Sequence, residues 1–197
     1  MPRLVDHEVR RREITDATRR VIVAGGLDAV TFQTVAAEAE LSVRLVQYYF
    51  GTKREFLLAT HRSVIQDAGA RFAQRMSGLP PGAGPREFIR AVLTELLPLD
   101  DRRRGEAIVL GAFNTAAIAG RGISAEETLA APRALVTIVA EQLRRGGSPD
   151  SAEPNAELIL AAVGGLAQGM LPGHYTAQSA VALVDHLLDL ILGAPGN

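Results

Sequence analysis

At 197 residues the chain is long enough for one or two compact domains, and with 47% hydrophobic and 22% charged residues it has the make-up of a folded protein. The formal net charge of −1 excludes a uniformly basic nucleic-acid coat while leaving room for a local basic surface, and the lack of cysteine excludes disulfides, thiolate zinc sites, iron–sulfur clusters and cysteine nucleophiles. Neither a secretion signal, for want of an apolar core in Met1-Pro2-Arg3-Leu4-Val5-Asp6-His7-Glu8, nor a membrane helix, since the apolar run Leu158 to Ala167 falls short of the ~20 residues needed, is expected; a soluble, cytoplasmic protein is.

Helical periodicity runs through almost the whole chain and no alternating strand pattern is framed by hairpin turns, so the expected class is all-α with about nine helices. The first helix, from about His7 to Ala24, has Val9, Ile14, Ala17, Val21 and Ile22 on its apolar face and stops at Gly25-Gly26. Arg3, Arg10, Arg11, Arg12, Arg19 and Arg20 cluster in this first stretch, and such clustering marks where an anion would dock. Thr31 is the expected N-cap of a short second helix, Phe32 to Ala39, and Ser42 that of a third, Val43 to Phe50. After Gly51-Thr52 a longer helix runs from Lys53, the only lysine, to about Met76. Ser77 to Pro85, rich in glycine and proline, is the strongest break in the chain. Five further helices are expected near 85–97, 101–119, 123–146, 152–171 and 176–193, separated by Pro98, Gly120-Arg121-Gly122, Gly146-Gly147-Ser148-Pro149 and Pro172-Gly173.

Enzyme signatures are missing. His7, His61, His174 and His186 are scattered and form no His-x-x-x-His pair, and neither a Gly-x-Ser-x-Gly elbow nor a phosphate-cradling Gly-x-x-x-x-Gly-Lys loop occurs. No catalytic residue, metal or cofactor is expected. Gly165 and Gly169, four apart, are expected to let helices approach closely.

The positive signal lies between Thr31 and Lys53. Two short capped helices joined by a tight turn make a helix-turn-helix, in which one helix braces across the DNA backbone and the next enters the major groove. Val35, Ala36, Leu41, Leu45, Val46 and Phe50 supply its internal packing, leaving Arg44, Gln47, Tyr48 and Tyr49 as the outward positions of the second helix.

The string from Val30 to Leu57, and above all its ending Tyr48-Tyr49-Phe50-Gly51-Thr52-Lys53-x-x-Phe56-Leu57, resembles the N-terminal domain of TetR-type transcriptional regulators over about residues 8–68. The C-terminal part, with Glu95-Leu96-Leu97-Pro98-Leu99-Asp100 and Gly164-Gly165-Leu166, is similar to the choline-responsive repressor subgroup, less specifically. The resemblance implies that Lys53 contacts phosphate, where its charge and the helix N-terminus both favour an anion. It implies phosphate contact for Tyr49, at a position usually histidine, and DNA contact for Gln33 and Thr34, with Thr31 both capping and donating to phosphate. Gln47 stands where many members carry a backbone-contacting tyrosine; a glutamine can instead read adenine N6/N7. Arg44 has guanine or phosphate within its chemistry. Tyr48 either packs against the first helix or faces DNA. Glu40 replaces the turn glycine common in the family, so an altered turn is expected.

The resemblance further implies a homodimer joined through its last two helices, bound to a double-stranded, pseudo-palindromic operator with half-site centres about 34–36 Å apart or a multiple of that. The expected division is a DNA-binding domain over 1–52, a connecting helix over 53–77, and a ligand-binding and dimerisation domain over 78–197. A small-molecule effector is expected in a pocket drawn from Phe72, Met76, Phe88, Leu93, Phe113, Asn114, Gln168, Met170, His174 and Tyr175, which mix apolar surface with sparse polar groups. The face formed by Val181, Val184, Leu188 and Ile191 is core or dimer seam. The expected function is a DNA-binding regulator, a repressor released by its effector; the alternative is an all-helical enzyme or carrier using a C-terminal cavity.

Overall fold

A computed structural model describes residues 2–147 and 150–193, without the side chains of residues 2–6, 125 and 127–130. The Arg3 side chain and the Ser148-Pro149 break therefore lie outside the described residues. Every regular element among those described is helical: α1 (Pro2–Gly25), α2 (Phe32–Glu38), α3 (Val43–Tyr49), α4 (Lys53–Ser77), α5 (Pro85–Glu95), α6 (Asp101–Ile118), α7 (Ala125–Arg145), α8 (Ala152–Met170) and α9 (Ala177–Leu192). The expected helices agree with these to within about two residues, except that α1 begins at Pro2, upstream of His7, and a single 3₁₀ turn over Leu27–Ala29 precedes α2.

The helices group into two compact units. The first comprises residues 1–68 and 105–128, the second residues 69–104 and 129–197. The expected division into consecutive segments does not anticipate this grouping, because α6 returns to the first unit after α5 has joined the second.

In the first unit Ile14, Ala17 and Ile22 of α1 pack with Val35 and Ala36 of α2, Val46 of α3, Phe50, and Phe56, Leu57 and Val64 of α4. At 3.6 residues per turn each of these sets falls on one face of its helix. The Phe56 ring meets Phe32 and Phe50 edge-on at 5.1 and 6.3 Å between centroids, in the offset geometries aromatic pairs favour. Val109, Phe113 and Ala116 of α6 close this core. Fully burying each such large apolar side chain contributes roughly 1.5–3 kcal/mol. His61 is buried in this unit with its ring 5.0 Å from that of Phe113.

In the second unit Ile89, Val92 and Leu93 of α5, Val139, Ala140 and Leu143 of α7, Ala152, Ala156, Ile159 and Val163 of α8, and Ala180, Val184 and Leu188 of α9 form one core. Of the face left open between core and seam, Val184 and Leu188 are buried in this core, and Val181 and Ile191 pack against it half-buried. Arg90 clasps Asp185 with Nε at 2.5 Å and Nη2 at 3.0 Å from the two carboxylate oxygens, and Arg86 bonds Asp189 and the Gly193 carbonyl. These pairs fix α5 against α9. Arg104 donates to the Leu171 carbonyl at 2.7 Å, satisfying one of the orphan acceptors at the end of α8. Gly169 is dictated by close approach, since a Cβ there would lie 2.6 Å from the Tyr175 ring, whereas one at Gly164 or Gly165 would meet open space.

Candidate nucleic-acid interface

The helix-turn-helix is built by reciprocal caps. The Thr31 hydroxyl accepts from the Thr34 amide at 3.0 Å, and the Thr34 hydroxyl accepts from the Thr31 amide at 2.9 Å while donating to the Ala29 carbonyl at 2.8 Å. The Ser42 hydroxyl accepts from the Leu45 amide at 3.2 Å, starting α3. At the head of α4 the Thr52 hydroxyl accepts from the Glu55 amide and the Glu55 carboxylate from the Thr52 amide. That Thr-x-x-Glu capping box stands in the sequence as Thr52-Lys53-Arg54-Glu55 and passed unread. It begins α4 with Lys53, exposed at a terminus whose free N–H groups favour an anion.

Between α2 and α3 the chain turns through a left-handed helix stop centred on Glu40. The Leu41 amide donates to the Ala36 carbonyl at 2.9 Å and the Glu40 amide to the Ala37 carbonyl at 3.2 Å, the paired bonds of a left-handed helix stop. Glu40 takes φ 55°, alone among the described non-glycine residues in having positive φ. Two backbone bonds thus hold Glu40 in the left-handed conformation that glycine adopts without cost.

On α3, Val46 is buried and Arg44, Gln47 and Tyr48 are exposed. Tyr48 is 75% exposed, so it does not pack into α1; its ring meets only the edge of Tyr49, 5.3 Å away. Tyr49 is half-buried, with the His7 ring 4.6 Å from its own. Gln33 on α2 is exposed. Thr31 and Thr34 are exposed too, with hydroxyls engaged in the cap. All eight expected DNA-contact residues therefore fall between the start of α2 and the first residue of α4.

The described arginine side chains of α1 are engaged with partners, Arg12 and Arg20 while remaining exposed. Arg10 pairs with Glu13 and Arg20 with Glu38. Arg11 donates to the Tyr49 carbonyl at 2.7 Å and sets its guanidinium 4.1 Å from the Phe50 ring centroid, so it caps the C-terminus of α3 and stacks on the residue that ends it. Arg12 and Arg19 converge on one oxygen of Asp67 at 2.6 and 2.7 Å, and both donate to the Ser63 hydroxyl. Burial opposes ionisation of Asp67, but the hydrogen bonds from Arg12 and Arg19 outweigh it and hold its carboxyl below the usual range. Arg12 in turn is raised, chiefly by its bond to Asp67. The N-terminal basic cluster thus braces α1 against α3 and α4. Across α2, α3 and the first residue of α4, Arg44 and Lys53 are the cations with no ion pair or hydrogen bond. Sequence reading missed Arg11 and His7 as residues that hold α3, because their partners lie about forty residues away.

The expected pocket residues divide between the units. Phe72, Met76, Phe88 and Tyr175 are half-buried against the second core, where Leu93 and Met170 are buried. Gln168 and His174 are exposed. Phe113 is fully buried in the first core, and its neighbour Asn114 is exposed. Among the described residues no cluster of histidine and carboxylate side chains could hold a metal ion, and no helix is long and apolar enough to cross a membrane.

Two family models match the chain: bacterial regulatory proteins of the tetR family over residues 14–60, and the C-terminal part of BetI-type transcriptional repressors over residues 85–193. A curated relative, the HTH-type transcriptional regulator BetI of Burkholderia mallei, is 39% identical over 93 residues, covering 47% of this chain and 47% of that protein. The HTH-type transcriptional regulator PksA of Bacillus subtilis is 32% identical over 114 residues, 57% of this chain and 54% of that one. The chain thus spans about half the length of the curated relatives it matches. Among solved structures, a transcriptional regulator from Rhodococcus shares 29% identity with a TM-score of 0.77, over 93% of this chain and 94% of that one. A transcriptional regulator from Saccharomonospora viridis, solved in complex with choline, shares the fold with a TM-score of 0.79 at 22% identity, over 93% and 96%.

Proposed function

Because this chain belongs to the tetR family of bacterial regulatory proteins, with a C-terminal part of the BetI-type repressor kind, we propose that it is a dimeric, sequence-specific DNA-binding repressor released from its operator by a small molecule. The observation that carries this reading is the outward face of α3 and its flanks. Arg44, Gln47 and Tyr48 are exposed on one short capped helix, and Lys53 stands at the next helix start with its charge uncommitted. Lys53, Tyr49 and Thr31 take phosphate contacts, Gln33 and Thr34 approach the backbone from α2, and Gln47 and Arg44 read base edges. The BetI-type match and the choline complex of the Saccharomonospora viridis neighbour support a small-molecule effector. The effector is held by the second unit, most of which lies within the BetI-type match.

Pairing uses α8 and α9. Leu158, Leu183 and Leu190 are 59%, 39% and 70% exposed, apolar side chains the second core does not use. Gly164 and Gly165 leave room for a neighbouring backbone.

The test is operator binding by the full chain across a salt series. Lys53→Ala is expected to weaken binding to all sequences alike and to flatten the slope of log K against log salt by about 0.9 for each phosphate left without its cation. Gln47→Ala is expected to relax preference at one base pair by about 1–3 kcal/mol. An enzyme or carrier would keep its activity after Lys53→Ala and show no preference for an inverted repeat; that outcome would replace the proposal.

A further inference from the structure

The second unit contains an open cleft of about 520 Å³ lined by Arg71, Gln74 and Arg75 of α4, Gly78, Leu79 and Pro80 of the loop that follows, and Glu95 of α5. Its volume falls within the roughly 300–1,000 Å³ of small-molecule sites. None of the expected pocket residues lines it.

The charges decide what it would hold. Glu95 is the one acidic lining residue, and its carboxylate faces guanidinium groups on both oxygens: Arg71 Nε at 2.6 Å on one and Arg103 Nη1 at 3.6 Å on the other. It is already neutralised, with neither oxygen left over for a bound cation. Arg75, exposed in the last turn of α4, forms no ion pair or hydrogen bond. Two arginines against one satisfied carboxylate leave the cleft net positive, while Leu79 and Pro80 provide an apolar wall. A quaternary ammonium ion, such as the choline bound by the Saccharomonospora viridis protein, would be repelled.

We propose that this cleft binds a small organic carboxylate, its anionic head paired in fork geometry with Arg75 and its apolar body against Leu79 and Pro80, and that such an anion is the effector. The regulatory half rests on the repressor reading above; the binding half does not. Arg75 has no partner to lose, so substituting it leaves the fold intact.

Hexanoate is the probe. Titrated calorimetrically into the full chain, it is expected to bind the wild type, to bind Arg75→Ala at least tenfold more weakly, and to recover only in part with Arg75→Lys, which restores charge without the fork. Choline and hexan-1-ol, lacking the anion, are expected to give no heat. Binding absent from the wild type, or equal in Arg75→Ala, overturns the site. Operator affinity measured with and without hexanoate decides the second half: weakening in the wild type but not in Arg75→Ala supports the effector role, and Arg75-dependent binding that leaves operator affinity unchanged overturns it. A chain with no operator affinity at all would refute the repressor reading while the calorimetry still decides the site.

Discussion

Replacing Glu40 by glycine should stabilise the protein. Residue 40 is held in the left-handed region by two backbone bonds, Glu40 N–H to Ala37 and Leu41 N–H to Ala36, with φ 55°. A residue with a Cβ costs about 1–2 kcal/mol in that conformation, and glycine removes the cost. Glycine's greater freedom in the unfolded chain returns up to ~1 kcal/mol of this. The net gain should be about 0.5–1 kcal/mol, and for a chain of this length each kcal/mol raises Tm by roughly 2–4 °C. Thermal unfolding of wild type, Glu40→Gly and Glu40→Ala separates the causes. The Glu40 side chain is exposed and makes no hydrogen bond or ion pair, so alanine, which keeps the Cβ, should melt within a degree or two of wild type. If alanine gains as much as glycine, the carboxylate rather than the backbone carries the strain; if glycine melts lower, the argument from φ fails.

Three further outcomes are expected. Gly69 lies exposed inside α4, where a Cβ would meet nothing within 4 Å, so Gly69→Ala should add about 1 kcal/mol of helix propensity, read as a rise in the urea midpoint; a fall would reveal a strained backbone there. Arg11→Met should weaken operator binding by loosening the end of α3 while leaving the salt slope unchanged, whereas a slope reduced by about 0.9 would make Arg11 a phosphate contact. Asp67 ionises below its unfolded range, near 3.9. The stability from its arginine pair is therefore fully present above that range and lost as pH falls through the lower folded value. Asp67→Asn should be less stable at neutral pH and show a flatter decline from about pH 5 to 3 than wild type; parallel melting curves would sink this.

Local chemistry was legible because local residues fix it. Thr31 and Ser42 cap α2 and α3 as their hydroxyls require, and the apolar spacing of α9 puts Val184 and Leu188 on a buried face. The eight expected DNA-contact residues fall together because they lie within 23 consecutive positions, Thr31 to Lys53. Long-range pairings were not legible. Nothing near Arg11 announces a bond to the Tyr49 carbonyl, and nothing near Phe113 announces its place beside His61. Apolar and sparsely polar residue types alone could not tell a cavity wall from a core, which is why Phe113 was grouped with residues of the other unit. At Glu40 the residue type reports only a preference, while two backbone bonds set the conformation.

The engagement of the described α1 arginines with partners on their own chain has a consequence for genomic search. With Lys53 as the uncommitted cation facing phosphate in each reading head and Arg44 on a base edge, a paired molecule would neutralise about two phosphates, a salt exponent of roughly −1.8. Random chromosome would then hold it only loosely at cellular ionic strength. Residence on the target would then come from fit to its bases, and so from Gln47, Arg44 and the tyrosine face beside them.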